Sequence, residues 1–222
     1  MKKLLIVANL KSYKTEDEAK EWLKVFEKIK DSDEDLSGKE IVICPSFTLL
    51  SLFHSCILDN NLPVKVGAQN VSPFDEGAYT GEVNAKQIKD FTELVLVGHS
   101  ERRKNFNETD TELIKKVELS LEYGLKPVFL VQGSDNLIPQ GIEIIAYEPI
   151  FAIGTGTPDT PENANQIASA IKSKNNTYQI LYGGSVTSEN VKSFTSMPNI
   201  NGVLVGGASL DAEEFIKIIQ NA

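Results

Sequence analysis

Leu94-Val95-Leu96-Val97 is an apolar run, ended by Gly98 and followed by His99-Ser100-Glu101-Arg102-Arg103. From residue 109 to 123, Leu113, Ile114, Val117 and Leu121 fall on one face at helical spacing. Pro127-Val128-Phe129-Leu130-Val131 is then a second apolar run. Run, amphipathic helix, run is the pattern of a parallel pair of strands joined by a crossover helix. The same texture extends in both directions. Further apolar runs lie at 4–8, 41–43, 64–66, 143–147, 179–182 and 203–205, eight with these two. Their near-continuous hydrophobicity marks strands buried on both faces.

Helix signals fill the gaps. Thr15-Glu16-Asp17-Glu18 opens a stripe of Trp22, Leu23, Phe26 and Ile29. Thr160-Pro161-Glu162 places proline at the first helical position ahead of Ile167 and Ile171, and Asp211 caps a stretch with Phe215, Ile218 and Ile219. No composition break divides the chain, so residues 1–222 read as a single α/β domain. Eight units of about 28 residues fit a (βα)8 barrel. The competing fold, an open doubly wound sheet, lacks its GxGxxG mark: Asn9-Leu10-Lys11-Ser12 follows the first run instead.

Two places break the rhythm. Residues 70–83 form a long loop, a length at which loops are usually functional or disordered. Only residues 132–141 separate the fifth run from the sixth, short for a parallel crossover. The fifth helix is therefore expected to be shortened or vestigial, with the strands there lightly covered.

Composition narrows the partners. Of 222 residues, 41% are hydrophobic and 24% charged, which suits a packed globular core. The 22 basic and 31 acidic side chains give a net charge of −9, so the basic footprint of a nucleic-acid binder is missing. An anionic ligand would need positive potential built locally. Cys44 and Cys56 make neither a disulfide framework nor a CxxC pair, and both read as reduced, buried thiols. The apolar run 4–8 is too short for a signal peptide, and no run reaches membrane-spanning length. The expectation is a cytoplasmic protein without a membrane partner.

In a barrel, chemistry sits at the C-terminal ends of the strands. Those ends here carry Asn9 and Lys11, then His99, then Glu148, then the small-residue turns Gly183-Gly184-Ser185 and Gly206-Gly207-Ala208-Ser209. Turns after the seventh and eighth strands are the usual phosphate site in barrels, offering backbone N–H groups to the anion. Each side chain also has a plainer reading: Lys11 as a rim lysine, His99 as a buried structural histidine, Glu148 as a helix-start carboxylate. His54, in a helix-like stretch, is read as structural. Together, a carboxylate, an imidazole and a cation around one phosphate pocket suffice for proton abstraction beside a carbonyl.

The strings themselves resemble the triosephosphate isomerase family, from Asn9 to the C-terminus. They are Ala8-Asn9-Leu10-Lys11, Gly67-Ala68-Gln69-Asn70-Val71, Gly77-Ala78-Tyr79-Thr80-Gly81-Glu82, Gly98-His99-Ser100-Glu101-Arg102-Arg103, Ala146-Tyr147-Glu148-Pro149 through Gly154-Thr155-Gly156, Tyr182-Gly183-Gly184-Ser185-Val186 and Gly206-Gly207-Ala208-Ser209-Leu210. The resemblance implies a TIM barrel that interconverts dihydroxyacetone phosphate and glyceraldehyde 3-phosphate through an enediolate, with no metal and no cofactor. It implies Glu148 as base and His99 as a neutral electrophile, its pKa lowered by a following helix N-terminus. Lys11 would neutralise charge, Asn9 shape the pocket and Glu101 position its neighbours. Substrate would meet Asn9 and Lys11, and its phosphate the amides of Gly154, Ser185, Gly206 and Gly207. Residues 149–159 would form a lid, and the loop around Thr80 would dock into a second subunit of a homodimer. Two sequence departures stand out: Phe151 replaces the family's usual tryptophan, and Leu130-Val131-Gln132-Gly133 replaces Cys-x-Gly-Glu. The rival readings are another phosphate-binding barrel enzyme and a non-catalytic phosphate-binding protein.

Overall fold

The computed structural model describes residues 3–31 and 36–222. Strands β1 (Leu4–Asn9), β2 (Lys39–Cys44), β3 (Lys65–Ala68), β4 (Leu94–Val97), β5 (Lys126–Val131), β6 (Ile144–Tyr147), β7 (Gln179–Tyr182) and β8 (Gly202–Val205) close into a parallel barrel in sequence order. Closure is the β8–β1 pairing, with Ala8 opposite Val205. Each of the eight apolar runs became a strand, and only ends moved by a residue or two, because strand limits follow partner register rather than hydrophobicity.

Alternation along each strand separates two layers. Leu5, Val7, Val42, Cys44, Leu96, Val128, Leu130, Ala146, Leu181 and Leu204 form one buried cluster, the barrel interior. Ile6, Ala8, Ile43, Val97, Phe129, Ile145 and Val203 belong to the other, packed against the helices. The helices are α1 (Glu16–Phe26), α2 (Leu50–Asp59), α3 (Ala85–Ile88), α4 (Ser100–Phe106), α5 (Asp110–Glu122), α6 (Pro161–Lys172), α7 (Val191–Thr195) and α8 (Ala212–Asn221). Thr15 caps α1 in a reciprocal capping box with Glu18, Thr160 caps α6 ahead of Pro161, and Asp211 caps α8. His54 lies in α2 with Nδ1 3.0 Å from Phe91 O, away from the barrel mouth. Cys44 is buried, but Cys56 is only half-buried, because its position on α2 turns partly outward.

The fifth crossover differs from the expectation in one respect. Residues 132–143 form turns without a helix. The strands beside them are nevertheless well covered: Phe129, Val131, Ile145 and Tyr147 are all buried. The turn folds back over them, bringing Ile138 and Ile142 to the core. Gly141 takes φ +81°, a backbone conformation that favours glycine, and Leu121 Cδ1 of α5 lies 2.5 Å from where a Cβ would stand.

The long loop 70–83 is tied at its base. Ser72 N donates to Val83 O at 2.9 Å, Lys116 Nζ to Asn70 Oδ1 at 2.7 Å and Tyr123 OH to Asp75 Oδ1 at 2.8 Å. Lys116 also pairs with Glu108, which accepts from Arg102 Nε at 2.5 Å, so the same network holds α4 in place. At the tip, Phe74 and Tyr79 stack on each other at 4.3 Å and remain exposed.

Candidate active site

Inward alternation on β1 passes through Leu5 and Val7 to Asn9. On β6 it passes through Ile144 and Ala146 to Glu148. The period of two brings Asn9 and Glu148 to the barrel mouth, and Lys11 reaches it from the turn just past β1. Lys11 adopts φ +52°, an uncommon conformation for a side-chain-bearing residue. It is held there from both sides: its N–H donates to Asn9 Oδ1 at 3.1 Å, and its carbonyl accepts from Gln69 Nε2 at 2.9 Å. The same Gln69 Nε2 donates to Cys44 O at 2.8 Å, so one amide ties β1 to β2 at the mouth. The Lys11 ammonium pairs with Glu101 Oε1.

His99 follows Gly98, whose φ of +84° turns the chain from β4 into α4. It is the N-cap of α4, and its Nδ1 accepts the Glu101 N–H at 3.2 Å. An accepting Nδ1 leaves the ring hydrogen on Nε2. Nε2 lies 3.1 Å from Glu148 Oε1, so the imidazole and the carboxyl are in close contact at the centre of the site. The His99 pKa is pushed down to about 4, first by burial, then by Lys11 and Arg102, against the opposing pull of Glu101. Burial is the largest of these causes.

Glu148 is 2% exposed. Its Oε2 accepts the Ser100 N–H at 3.1 Å. Burial pushes its pKa up to about 8; the Ser100 N–H and Lys11 pull it back, and Glu101 adds to the rise. A Cβ at position 183 would stand 3.3 Å from Glu148 Cγ, which is why the turn after β7 begins with glycine.

These side chains open on a cleft of about 370 Å³. Asn9, Lys11, His99, Glu148, Gly154, Ser185, Gly206 and Gly207 all line it. Glu101 stands behind, with Oε2 3.8 Å from His99 Nδ1 and its other oxygen on Lys11. Ser185 takes φ +48°, and Lys11 Cε lies 3.2 Å from where a Cβ on Gly206 would be, so both turns fit closely around the cleft. Ser100 and Gln69 support the site but were not expected to from the sequence. A backbone N–H has no signature in residue type. Gln69 was visible inside one of the recognised strings.

The segment 149–158 borders the same cleft. Thr155 Oγ1 donates to Phe151 O at 3.0 Å and accepts from Thr157 N at 3.2 Å, bracing the segment internally. Ile150 and Phe151 are exposed, whereas Ala152 is buried and its carbonyl accepts from Ser185 Oγ at 2.6 Å. At the far end, Asp159 N donates to Tyr182 OH at 2.8 Å and Tyr147 OH donates to Asp159 Oδ2 at 3.3 Å. A buried carboxylate, a neutral N–H donor and an ammonium facing one cleft can abstract a proton and stabilise the oxyanion that results.

A family model described as triosephosphate isomerase matches residues 4–143 and 135–222. The chain is 37% identical over 254 residues to the triosephosphate isomerase of Dictyoglomus turgidum, covering 100% of both chains. It is 39% identical over 248 residues to that of Mesomycoplasma hyopneumoniae strain 232, covering 99% of this chain and 100% of the relative. To that of Aquifex aeolicus it is 39% identical over 246 residues, covering 97% and 98%. Among the described residues, no helix is long and apolar enough to cross a membrane.

Proposed function

This chain belongs to the triosephosphate isomerase family, and on that premise we propose that it interconverts dihydroxyacetone phosphate and D-glyceraldehyde 3-phosphate in the cytoplasm, as one barrel domain over residues 1–222. The activity serves glycolysis and gluconeogenesis. Glu148 moves a proton between C1 and C2 through an enediolate. His99, neutral, donates from Nε2 to the oxygen on which charge develops, and Lys11 neutralises that charge. Asn9 shapes the pocket beside Lys11, and Glu101 orients Lys11 and His99. The phosphate rests on the backbone of Gly154, Ser185, Gly206 and Gly207. No cofactor enters this scheme.

The observation that carries this reading is the 3.1 Å contact of His99 Nε2 with Glu148 Oε1 inside a buried cleft beside Lys11. A substrate carbonyl that accepts from Nε2 displaces the carboxylate from it. The carboxylate is then left against the substrate carbon, held by its hydrogen bond from Ser100 N. Burial makes it a stronger base than a solvated glutamate.

The partner is a second copy of this chain. Exposed Phe74 and Tyr79 on the loop after β3, Tyr13 after β1 and Phe106 at the end of α4 support a homodimer through the loop around Thr80.

A coupled assay of glyceraldehyde 3-phosphate turnover tests the reaction, with Glu148→Ala as the decisive variant. It is expected to lose at least about a hundredfold in kcat with KM within about tenfold, because the base acts mainly in the transition state. A variant that keeps more than a tenth of kcat removes Glu148 as the base.

A further inference from the structure

The turn after β8 carries two of the glycines assigned above to the phosphate, yet its own support comes from the opposite end of the chain. A turn that shows N–H groups to a ligand must point carbonyls elsewhere, and a buried carbonyl needs a donor. Ser209 is fully buried. Its carbonyl accepts the indole N–H of Trp22, on α1, at 3.0 Å. The next carbonyl, of Leu210, accepts Lys14 Nζ at 2.9 Å. Within the turn, Gly206 O accepts from Ser209 N at 2.9 Å and from Ser209 Oγ at 2.7 Å.

Two features mark these donors as more than packing. Trp22 stacks on Phe26 at 4.9 Å and lies 5.8 Å from Phe53 and 6.4 Å from Phe215. Any aromatic ring could fill that place, but only indole brings a buried N–H to Ser209. Lys14 holds φ +75°, a backbone conformation that costs energy for a lysine and persists only where surroundings impose it. Its ammonium is spent on a carbonyl of this turn rather than on the cleft, which it does not line.

We propose that Trp22 and Lys14 are positioning residues for the substrate phosphate: from the segment after β1 they fix the Ser209 and Leu210 carbonyls and so hold the Gly206–Gly207 backbone at its phosphate-binding orientation. This rests on the reading that Gly206 and Gly207 meet the phosphate. Neither side chain touches substrate. Their effect is on affinity for the anion, through the turn.

The experiment uses the full chain, with inorganic phosphate as probe. Trp22→Phe keeps the ring and drops the donor; Lys14→Met drops the ammonium and keeps the stem. Each is expected to raise the inhibition constant of phosphate and the KM for glyceraldehyde 3-phosphate by about three- to tenfold, with kcat falling by less than KM rises. Phe26→Leu, which loosens the same aromatic cluster without touching the turn, is expected to lower Tm with the phosphate constant unchanged. Because Trp22 is the chain's single tryptophan, phosphate should also change the emission of the unaltered protein, with the midpoint at higher phosphate in Lys14→Met. Phosphate constants within twofold of the unaltered chain in both variants overturn the proposal. So does a rise in Phe26→Leu as large as in Trp22→Phe. A chain that binds phosphate by fluorescence yet turns over no triose phosphate overturns the functional reading instead, and the Lys14→Met midpoint still decides this one.

Discussion

Burial moves the Glu148 and His99 pKa values in opposite directions, and each makes the fold sensitive to pH in its own direction. The folded pKa of Glu148, about 8, lies above its ordinary 4.5. Between those values the folded chain keeps a proton that the unfolded chain has lost, so stability falls as pH rises. His99 is the reverse: its folded pKa of about 4 lies below 6.5, and stability falls as pH drops through that window. The two oppose each other from 4.5 to 6.5, and Glu148 acts alone from 6.5 to 8. Glu148→Gln removes the buried carboxylate. Its Tm advantage over the unaltered chain is expected to grow from pH 6.5 to pH 8, followed by calorimetry. A flat difference across that window would mean that the Glu148 pKa is not raised in the folded chain.

Among the elements, the segment 149–159 joins most directly to the chemistry. Its internal Thr155 bonds make it a braced unit. Its ends are fixed differently: Ala152 is bonded to Ser185 at one side and Asp159 to Tyr147 and Tyr182 at the other. A lid of this kind moves as a body about its ends and shuts water out of the cleft. Deleting residues 153–156 spares the buried Ala152, so the barrel is expected to stay folded by circular dichroism. Expected alongside are a strong loss of kcat and a substantial release of inorganic phosphate per substrate consumed, since an unprotected enediolate expels phosphate. A folded deletion variant that isomerises normally without extra phosphate would show that this segment is not the lid.

For the whole molecule, the exposed aromatics on the loops after β1, β3 and β4 are the feature that the single chain leaves unexplained. The loop 70–83 is fastened at its base through Lys116, Ser72 and Tyr123, which presents its stacked Phe74–Tyr79 tip outward as a rigid projection. Sedimentation velocity is expected to find a homodimer at assay concentration. Replacing Phe74 and Tyr79 together by Asp should shift it toward monomer and lower kcat in parallel, because the tip near Thr80 is expected to support Asn9, Lys11 and His99 of the other subunit. A fully active monomer would contradict the assignment.

Strand positions, parallel order and the strand ends that carry Asn9, Lys11, His99 and Glu148 were legible in residue order. Hydrophobic run length and a period of two are properties of the chain itself and survive any detail of packing. The strings around His99 and Glu148 were equally legible, since the residue types carry the chemistry. Cover over the fifth crossover was not, because Ile138 and Ile142 come from a turn whose path depends on Gly141 and on the neighbours it meets. Nor was the origin of the shifted pKa values. Charge states in the cleft follow from desolvation, the Glu101 N–H on His99 and the Ser100 N–H on Glu148. The support of the β8 turn by Trp22 and Lys14 was hidden for the same reason: nearly the whole chain separates donor from acceptor, and only barrel closure of β8 on β1 brings them together.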